Sequence, residues 1–377
     1  MIIGIDASNL RAGGGITHLR ETLARLEPEK FGIDEVIVWG GKDTLALLPR
    51  GDRFTLSHQP ILDRSLPFRF LWQLFSLSRL ARELCDILFV PGGSYLGDFH
   101  PFVTMSRNML PFEKREVRRY GLSTLRLKLF WLRISQLATM RRSDGIIFLN
   151  TYAESRISSF LDRDQKQKEI IPHGIDRRFF REPVDQKHLK DYSDENPLQL
   201  LYVSHIENYK HQWGVIEGVA ALRQQGIPVK LTLAGRMGNA ARRYQEARDR
   251  FDPDGEFVHY LGEVDYADLE KVYHGADIFI YASTVENLPN TLLEAMASGL
   301  PIACSNYGPM PGVLRDAGLY FDPEKPQEIT RTLSDMIQDP TARQDLARRA
   351  FMLAADYSWQ KCAEDTYRFL TSVAAGE

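Results

Sequence analysis

Residues 282–306 read ASTVENLPNTLLEAMASGLPIACSN. An apolar run, DIFIYA at 277–282, leads into this stretch, and the alternation predicts a strand over 277–282, a polar loop, a helix and a further strand at PIACSN. Asn290 is the expected N-cap of that helix, and Gly299 followed by Pro301 its stop. Glu286 then lies in the loop and Glu294 in the opening helical turns, eight positions apart. Both carboxylates can face a ligand held against the helix start. A free helix N-terminus suits phosphate oxygens, and a carboxylate accepts two hydrogen bonds from neighbouring sugar hydroxyls.

The same strand, helix, strand rhythm extends outward in both directions. LQLLYVSH, VKLTLAG and FVHYLG precede the stretch from position 198 on, and IIGID, VIVWG, DILFVPG, FVTMSR, GIIFLN and EIIPHG occupy the first half. Short apolar strands joined by crossover helices imply parallel sheets with helices on both faces. Between 176 and 197, DRRFFREPVDQKHLKDYSDENP is polar and without clean periodicity, the pattern of a linker. The expected architecture is α/β, two Rossmann-like doubly wound domains facing across a cleft. The boundaries are 1–180, a linker at 181–197, 198–355, and a last helix over 356–377 that crosses back. Ligands of such folds bind beyond the carboxyl ends of the strands.

The polar segments at those strand ends supply further candidates. In LYVSHIENYKHQWGVIEGV (201–219), Lys210 stands at the head of a helix, where the dipole disfavours a cation unless an anion lies alongside. Read alone, an exposed lysine beside Glu207 would also account for it. His205 precedes it, and LTLAGRMGN (231–239) places Gly235 and Arg236 at the next strand end. In the first half, Gly13, Gly14 and Gly15 separate a strand from a helix, and serve tight packing or close approach to an anion equally well. Arg107 and Asn108 at the end of FVTMSRN can bind hydroxyls or phosphate, with no obvious general base among 106–108.

From Glu286 to Pro301 the chain resembles the retaining glycosyltransferases of family 4, which have the two-domain GT-B fold. Their motif often reads E-G-L-P-N-x-L-L-E-A-M-A-x-G-x-P. Glu286, Leu288, Pro289, Asn290, Leu292, Leu293, Glu294, Gly299 and Pro301 are in register, while Asn287 replaces the usual glycine. The resemblance implies that Glu286 holds sugar hydroxyls and Glu294 the ribose of a nucleotide diphosphate sugar. Leu288, Asn290 and Thr291 would offer backbone N–H groups, which Pro289 cannot. It implies that Lys210 meets the diphosphate, with Ser204-His205 standing where Gly-Arg is common. Gly14, Gly15, Arg236 and Val264 would line the remaining donor contacts, Val264 at the base. Glu286, Lys210 and Arg107 form the expected catalytic set. IIPHGID (170–176) resembles the family's turn before the linker, with His173 where Asn is frequent.

The implied function is hexosyl transfer, with mannosyl from GDP-mannose slightly favoured, to a lipid-linked or polysaccharide acceptor held by the N-terminal domain. No paired Asp at a strand end recruits a divalent ion, so no metal or other cofactor is expected. A sugar-nucleotide-binding paralog without turnover, or a sugar-nucleotide epimerase, are the alternatives.

Composition sets outer limits. The chain has 377 residues, 44% of them hydrophobic and 26% charged, enough for two or three cored domains. Lys and Arg number 47 against 50 for Asp and Glu, a net −3 that argues against a nucleic-acid partner. Cys85, Cys304 and Cys362 lie far apart, which implies free thiols in a reducing compartment and no zinc site. The N-terminus reads as a strand and not as a signal peptide, and charge interrupts every long apolar stretch, so a cytoplasmic protein is expected. Residues 113–142 interleave Arg and Lys with Leu, Phe and Trp. That pattern fits either helices covering a sheet or helices on an anionic membrane at the inner face of the cytoplasmic membrane.

Overall fold

The structure, a computed structural model, describes residues 1–11, 13–161 and 167–376. Ala12, residues 162–166 and Glu377, the last position of the expected final helix, lie outside the described residues. The chain divides into two compact units, the first holding residues 1–174 and the chain from Ser358 onward, the second holding Ile175–Tyr357.

The first unit is built on seven parallel strands: β1 (Ile2–Asp6), β2 (Glu35–Gly40), β3 (Thr55–His58), β4 (Ile87–Val90), β5 (Phe102–Met105), β6 (Gly145–Phe148) and β7 (Gln167–Ile170). Their order is β3-β2-β1-β4-β5-β6-β7. The inner strands are mostly apolar and buried, as in ILFV and FVTM, because helices bury both faces. The edge strands, TLSH and QKEI, are polar and partly exposed. That is why TLSH gave no apolar signal, and it blunts the sheet edge. Right-handed crossovers place the helix Gly14–Ala24, which runs from β1 to β2, on one face. The connections from β3 to β4 and from β5 to β6 run the other way, so residues 60–84 and the helix Thr124–Arg142 share the opposite face. The final helix, Trp359–Ala375, belongs to this unit, and a Cβ on Gly145 would come within 3.0 Å of its Val373 and Phe369.

The second unit has six parallel strands: β8 (Leu198–Val203), β9 (Val229–Ala234), β10 (Val258–Gly262), β11 (Ile278–Tyr281), β12 (Ile302–Ser305) and β13 (Leu319–Phe321). The order β10-β9-β8-β11-β12-β13 reverses direction between β8 and β11. Such a reversal opens a crevice at the carboxyl ends of the two strands. The three-residue β13 was too short to announce itself in the sequence. Residues 181–197, expected as a linker, are bonded to this unit instead. Arg181 donates its N–H to Ala297 O (3.0 Å) and its guanidinium to His274 O (2.9 Å), and the buried Arg343 donates to Gln186 Oε1 (2.7 Å). Gly299, at φ 66°, permits the approach, since a Cβ there would lie 2.6 Å from Arg181 O.

Candidate active site

At the reversal point, β8 ends at Val203 and the chain passes through a 3₁₀ turn, Asn208–Lys210, into the helix Gln212–Gln224. His211, at φ 51°, makes the corner between them. The turn drives Lys210 inward, where it is only 8% exposed. Its Nζ donates to Tyr281 Oη (2.9 Å) and to Glu286 Oε1 (2.5 Å), and lies 4.9 Å from the Tyr281 ring centroid. Ser283 Oγ donates to the same carboxylate oxygen at 2.5 Å. Glu207, the neighbour in sequence, only accepts the Lys210 backbone N–H. The anion that resolves the lysine's position is therefore Glu286, 76 residues away. An ammonium offers three protons and a carboxylate two oxygens, so this pair has hydrogen-bonding capacity beyond its internal bond.

The helix after the loop runs Asn290–Ala297, with Pro289 at the N-cap position. The sequence placed Asn290 there. Instead the loop stays extended through Pro289 (φ −80°, ψ 105°), whose carbonyl accepts from Leu292 and Leu293, and Asn290 becomes the first helical residue. Its buried Oδ1 has no partner. Leu288, Asn290 and Thr291 donate their backbone N–H to no acceptor among the described residues, as the first turn of a helix dictates. Pro289 offers none.

Glu294 is 6% exposed and accepts from Tyr273 Oη at 2.8 Å. Burial pushes its carboxyl up to about 7, against the hydrogen bond from Tyr273 and the positive charge of Arg178. Arg178 itself stacks 4.0 Å from the Tyr266 ring centroid. His205 is exposed, and its imidazole is held below the usual range by desolvation and by the charges of Arg236 and Lys210. The charged form of the imidazole is thereby disfavoured. Arg236 is exposed one residue past Gly235, and Val264 is half-buried two residues past β10. Gly235 joins these loops: at φ 140° its N–H donates to Gly262 O (2.7 Å), and a Cβ would fall 2.2 Å from Ser204 O. Gly235→Ala is expected to destabilise the second unit by roughly 3 kcal/mol, measurable as a lowered unfolding midpoint in urea.

The first unit gathers another set. Gly14 opens the helix Gly14–Ala24, with Gly13 at φ 69° as its N-cap residue. The Cα of Gly15 faces Leu10 and the Arg107 guanidinium, since a Cβ there would stand 3.6 Å from Arg107 Nε. Desolvation lowers Arg107 to about 10. His18 and His173, both buried, lie 5.5 Å apart by ring centroids and pack on Trp359. Burial and the nearby Arg107 hold both imidazoles well below their ordinary value. His173 is thus a core residue. Asn108 is exposed and caps its own turn by accepting from Leu110 N–H at 3.0 Å.

Sequence reasoning missed Tyr281, Ser283, Tyr273 and Arg178. Ser283 had a signal, three residues before Glu286. The others emerge only from packing.

Residues 184–352, all within the second unit, match the family model described as glycosyl transferases group 1. This segment of the chain is similar to that family. The chain is 30% identical over 167 residues to the O-antigen chain mannosyltransferase B of Escherichia coli, covering 44% of each protein. It is 25% identical over 247 residues to a glycogen synthase of Mycobacterium tuberculosis, covering 63% of this chain and 56% of that one. The chain spans about half the length of these curated relatives. Among solved structures it resembles the sucrose-phosphate synthase of Thermosynechococcus elongatus, with a TM-score of 0.73 at 16% identity over 100% of both chains. It also resembles Anabaena HepE in complex with UDP, with a TM-score of 0.69 at 16% identity over 98% of this chain and 99% of that one. At such identities the likeness speaks for the fold, and the two parallel sheets of this chain are those of the GT-B class.

Proposed function

We propose that the chain is a retaining glycosyltransferase that moves a hexosyl group, mannosyl in the first instance, from a nucleotide diphosphate sugar to a hydroxyl of a lipid-linked or polysaccharide acceptor. The observation that carries this reading is the Lys210–Glu286 pair at the β8/β11 reversal, with the free N–H groups of 288, 290 and 291 beside it and Glu294 one helical turn on. Lys210 and the loop N–H groups meet the diphosphate, Glu286 Oε2 accepts from sugar hydroxyls, and Glu294 takes the ribose diol. Val264 lies along the base, and the exposed Arg236 and His205 border the phosphates. Arg107, with Gly14 and Gly15, is assigned to phosphate or acceptor hydroxyls.

In the proposed step the acceptor oxygen bonds to the anomeric carbon as the bond to the β-phosphate oxygen breaks. The acceptor proton passes to that leaving phosphate oxygen on the same face. Lys210 and the N–H groups stabilise the charge that develops there, without a divalent ion. The mannosyltransferase relative favours a mannosyl donor and a polysaccharide acceptor, and the UDP bound in HepE favours a nucleotide diphosphate.

A panel of GDP-, UDP-, ADP- and dTDP-sugars, titrated calorimetrically and then incubated with a membrane-lipid extract in EDTA, tests this. One donor is expected to bind and to yield a glycosylated product by mass spectrometry, with Glu294→Ala abolishing it. Failure of every donor to bind the folded chain would refute the assignment.

A further inference from the structure

The first unit leaves apolar side chains uncovered in one place. On the helix Thr124–Arg142, Leu127, Phe130, Trp131 and Ile134 follow the i, i+3, i+4, i+7 spacing that puts side chains on one helix face. All four are exposed, Phe130 at 54% and Trp131 at 60%. The core-facing side of the helix is furnished separately, by Leu129, Gln136, Leu137, Thr139 and Met140. The outer stripe therefore does no packing work within the described residues.

A second stripe lies on the segment from Leu66 to Leu77, where Phe70, Leu71, Leu74 and Phe75 are exposed, Phe75 at 73%. Crossover handedness puts both segments on the same face of the seven-stranded sheet. Tyr95 ties them together: its hydroxyl pairs with Ser78 Oγ (2.8 Å), and its N–H donates to Thr139 Oγ1 (2.9 Å). Aromatic and aliphatic groups on one layer thus form a broad apolar surface, larger than scattered exposed residues would give.

Its surroundings are strongly basic. Residues 114–142 contain nine Lys and Arg against the single acid Glu116, in a chain whose net charge is −3. Arg126, Lys128 and Arg133 interleave directly with the apolar stripe. No helix among the described residues is long and apolar enough to cross a membrane. Apolar groups that reach past a helix surface, ringed by cations, fit an interface that is apolar a few ångströms deep and negative at its rim. A protein partner of matching shape would need no such excess of charge.

We propose that this layer, the outer faces of 66–77 and 124–134, docks the chain on an anionic lipid bilayer, with Phe130, Trp131 and Phe75 entering the headgroup boundary and Arg126, Lys128 and Arg133 meeting lipid phosphates. The surface shares no residue with the donor site, and its test uses no sugar nucleotide, so the two readings fail separately.

Co-sedimentation of the full chain with phosphatidylcholine vesicles, with and without phosphatidylglycerol, reads the interaction. The anionic vesicles are expected to bind at least tenfold tighter, and high salt to remove most of that difference. Phe130→Ser with Trp131→Ser is expected to abolish binding at any salt. Each charge removed in an Arg126→Gln, Lys128→Gln, Arg133→Gln series is expected to weaken it roughly fivefold. Circular dichroism identical to the parent chain checks that these surface variants are folded. Equal binding to neutral vesicles, or no binding to either, overturns the proposal. So does a concentration-dependent dimer that the aromatic variants dissolve while the parent ignores vesicles.

Discussion

Exchanging Lys210 for methionine is expected to lower kcat/KM roughly a thousandfold with the donor that the panel identifies, most of it in kcat, because one well-placed donor on a developing oxyanion contributes a hundred- to a thousandfold. The ammonium is fixed before any ligand arrives. Tyr281 and Glu286 take two of its protons and hold it at the end of β11. Lys210→Arg keeps the charge but brings a planar fork into a space fitted to a compact ammonium, so an intermediate loss is expected. Methionine also leaves Glu286 without its counter-charge, while Ser283 still donates to it. Glu286→Gln alone should therefore cost nearly as much, and the double variant little more than either single one. That non-additivity is the signature of a pair acting as a unit. Steady-state kinetics on the four proteins measures it, and a loss below tenfold for Lys210→Met would remove the lysine from the mechanism.

Glu294→Gln is expected to stabilise the fold at alkaline pH while weakening donor binding. Burial raises the native carboxyl to about 7 from its ordinary 4.5. Between those values the native state holds a proton that the unfolded chain has released, so stability falls as pH rises through this window and the full cost is present above it. The difference corresponds to about 3 kcal/mol. Glutamine carries no titrating proton, so urea unfolding at pH 5 and pH 8.5 should show the parent losing that increment and the variant keeping it. Donor affinity moves the other way: loss of a charged acceptor for the ribose diol is expected to weaken binding roughly tenfold to a hundredfold. The ionised form is the one the diol selects, so the parent should release a proton on binding near neutral pH, visible as a buffer-dependent calorimetric enthalpy.

How far the sequence spoke depends on the distance over which each feature is encoded. Glu286, Leu288, Asn290 and Glu294 fall within one loop and one helix, so their spacing was legible. The inner strands were equally plain, being apolar runs bounded by turns. TLSH was not, because an exposed edge strand is polar for the same reason that it is an edge. Asn290 looked like a cap by residue type, yet Pro289 fixes the extended backbone and pushes the asparagine inside the helix. The pairing of Lys210 with Glu286 joins residues on two strand ends that only the β8/β11 neighbourhood brings together. The buried His18 and His173 offered no periodic signal at all, since two histidines 155 positions apart become a pair only through packing. Residues 181–197 have a linker's composition, and what anchors them, Arg343 and Gly299, lies more than a hundred residues downstream.

The bonded pair of Lys210 and Glu286 gives the resting site a form of logic. A bare phosphate can approach the lysine, but it must pull it from a carboxylate that then has nothing in exchange. A free sugar can offer hydroxyls to Glu286, but leaves the lysine's remaining proton unanswered. Only a molecule presenting an anion and a hydroxyl together, at the separation these two side chains set, replaces the internal bond with two external ones in a single event. On the proposed function, the joined donor therefore engages both members of the pair, where each separated part engages one.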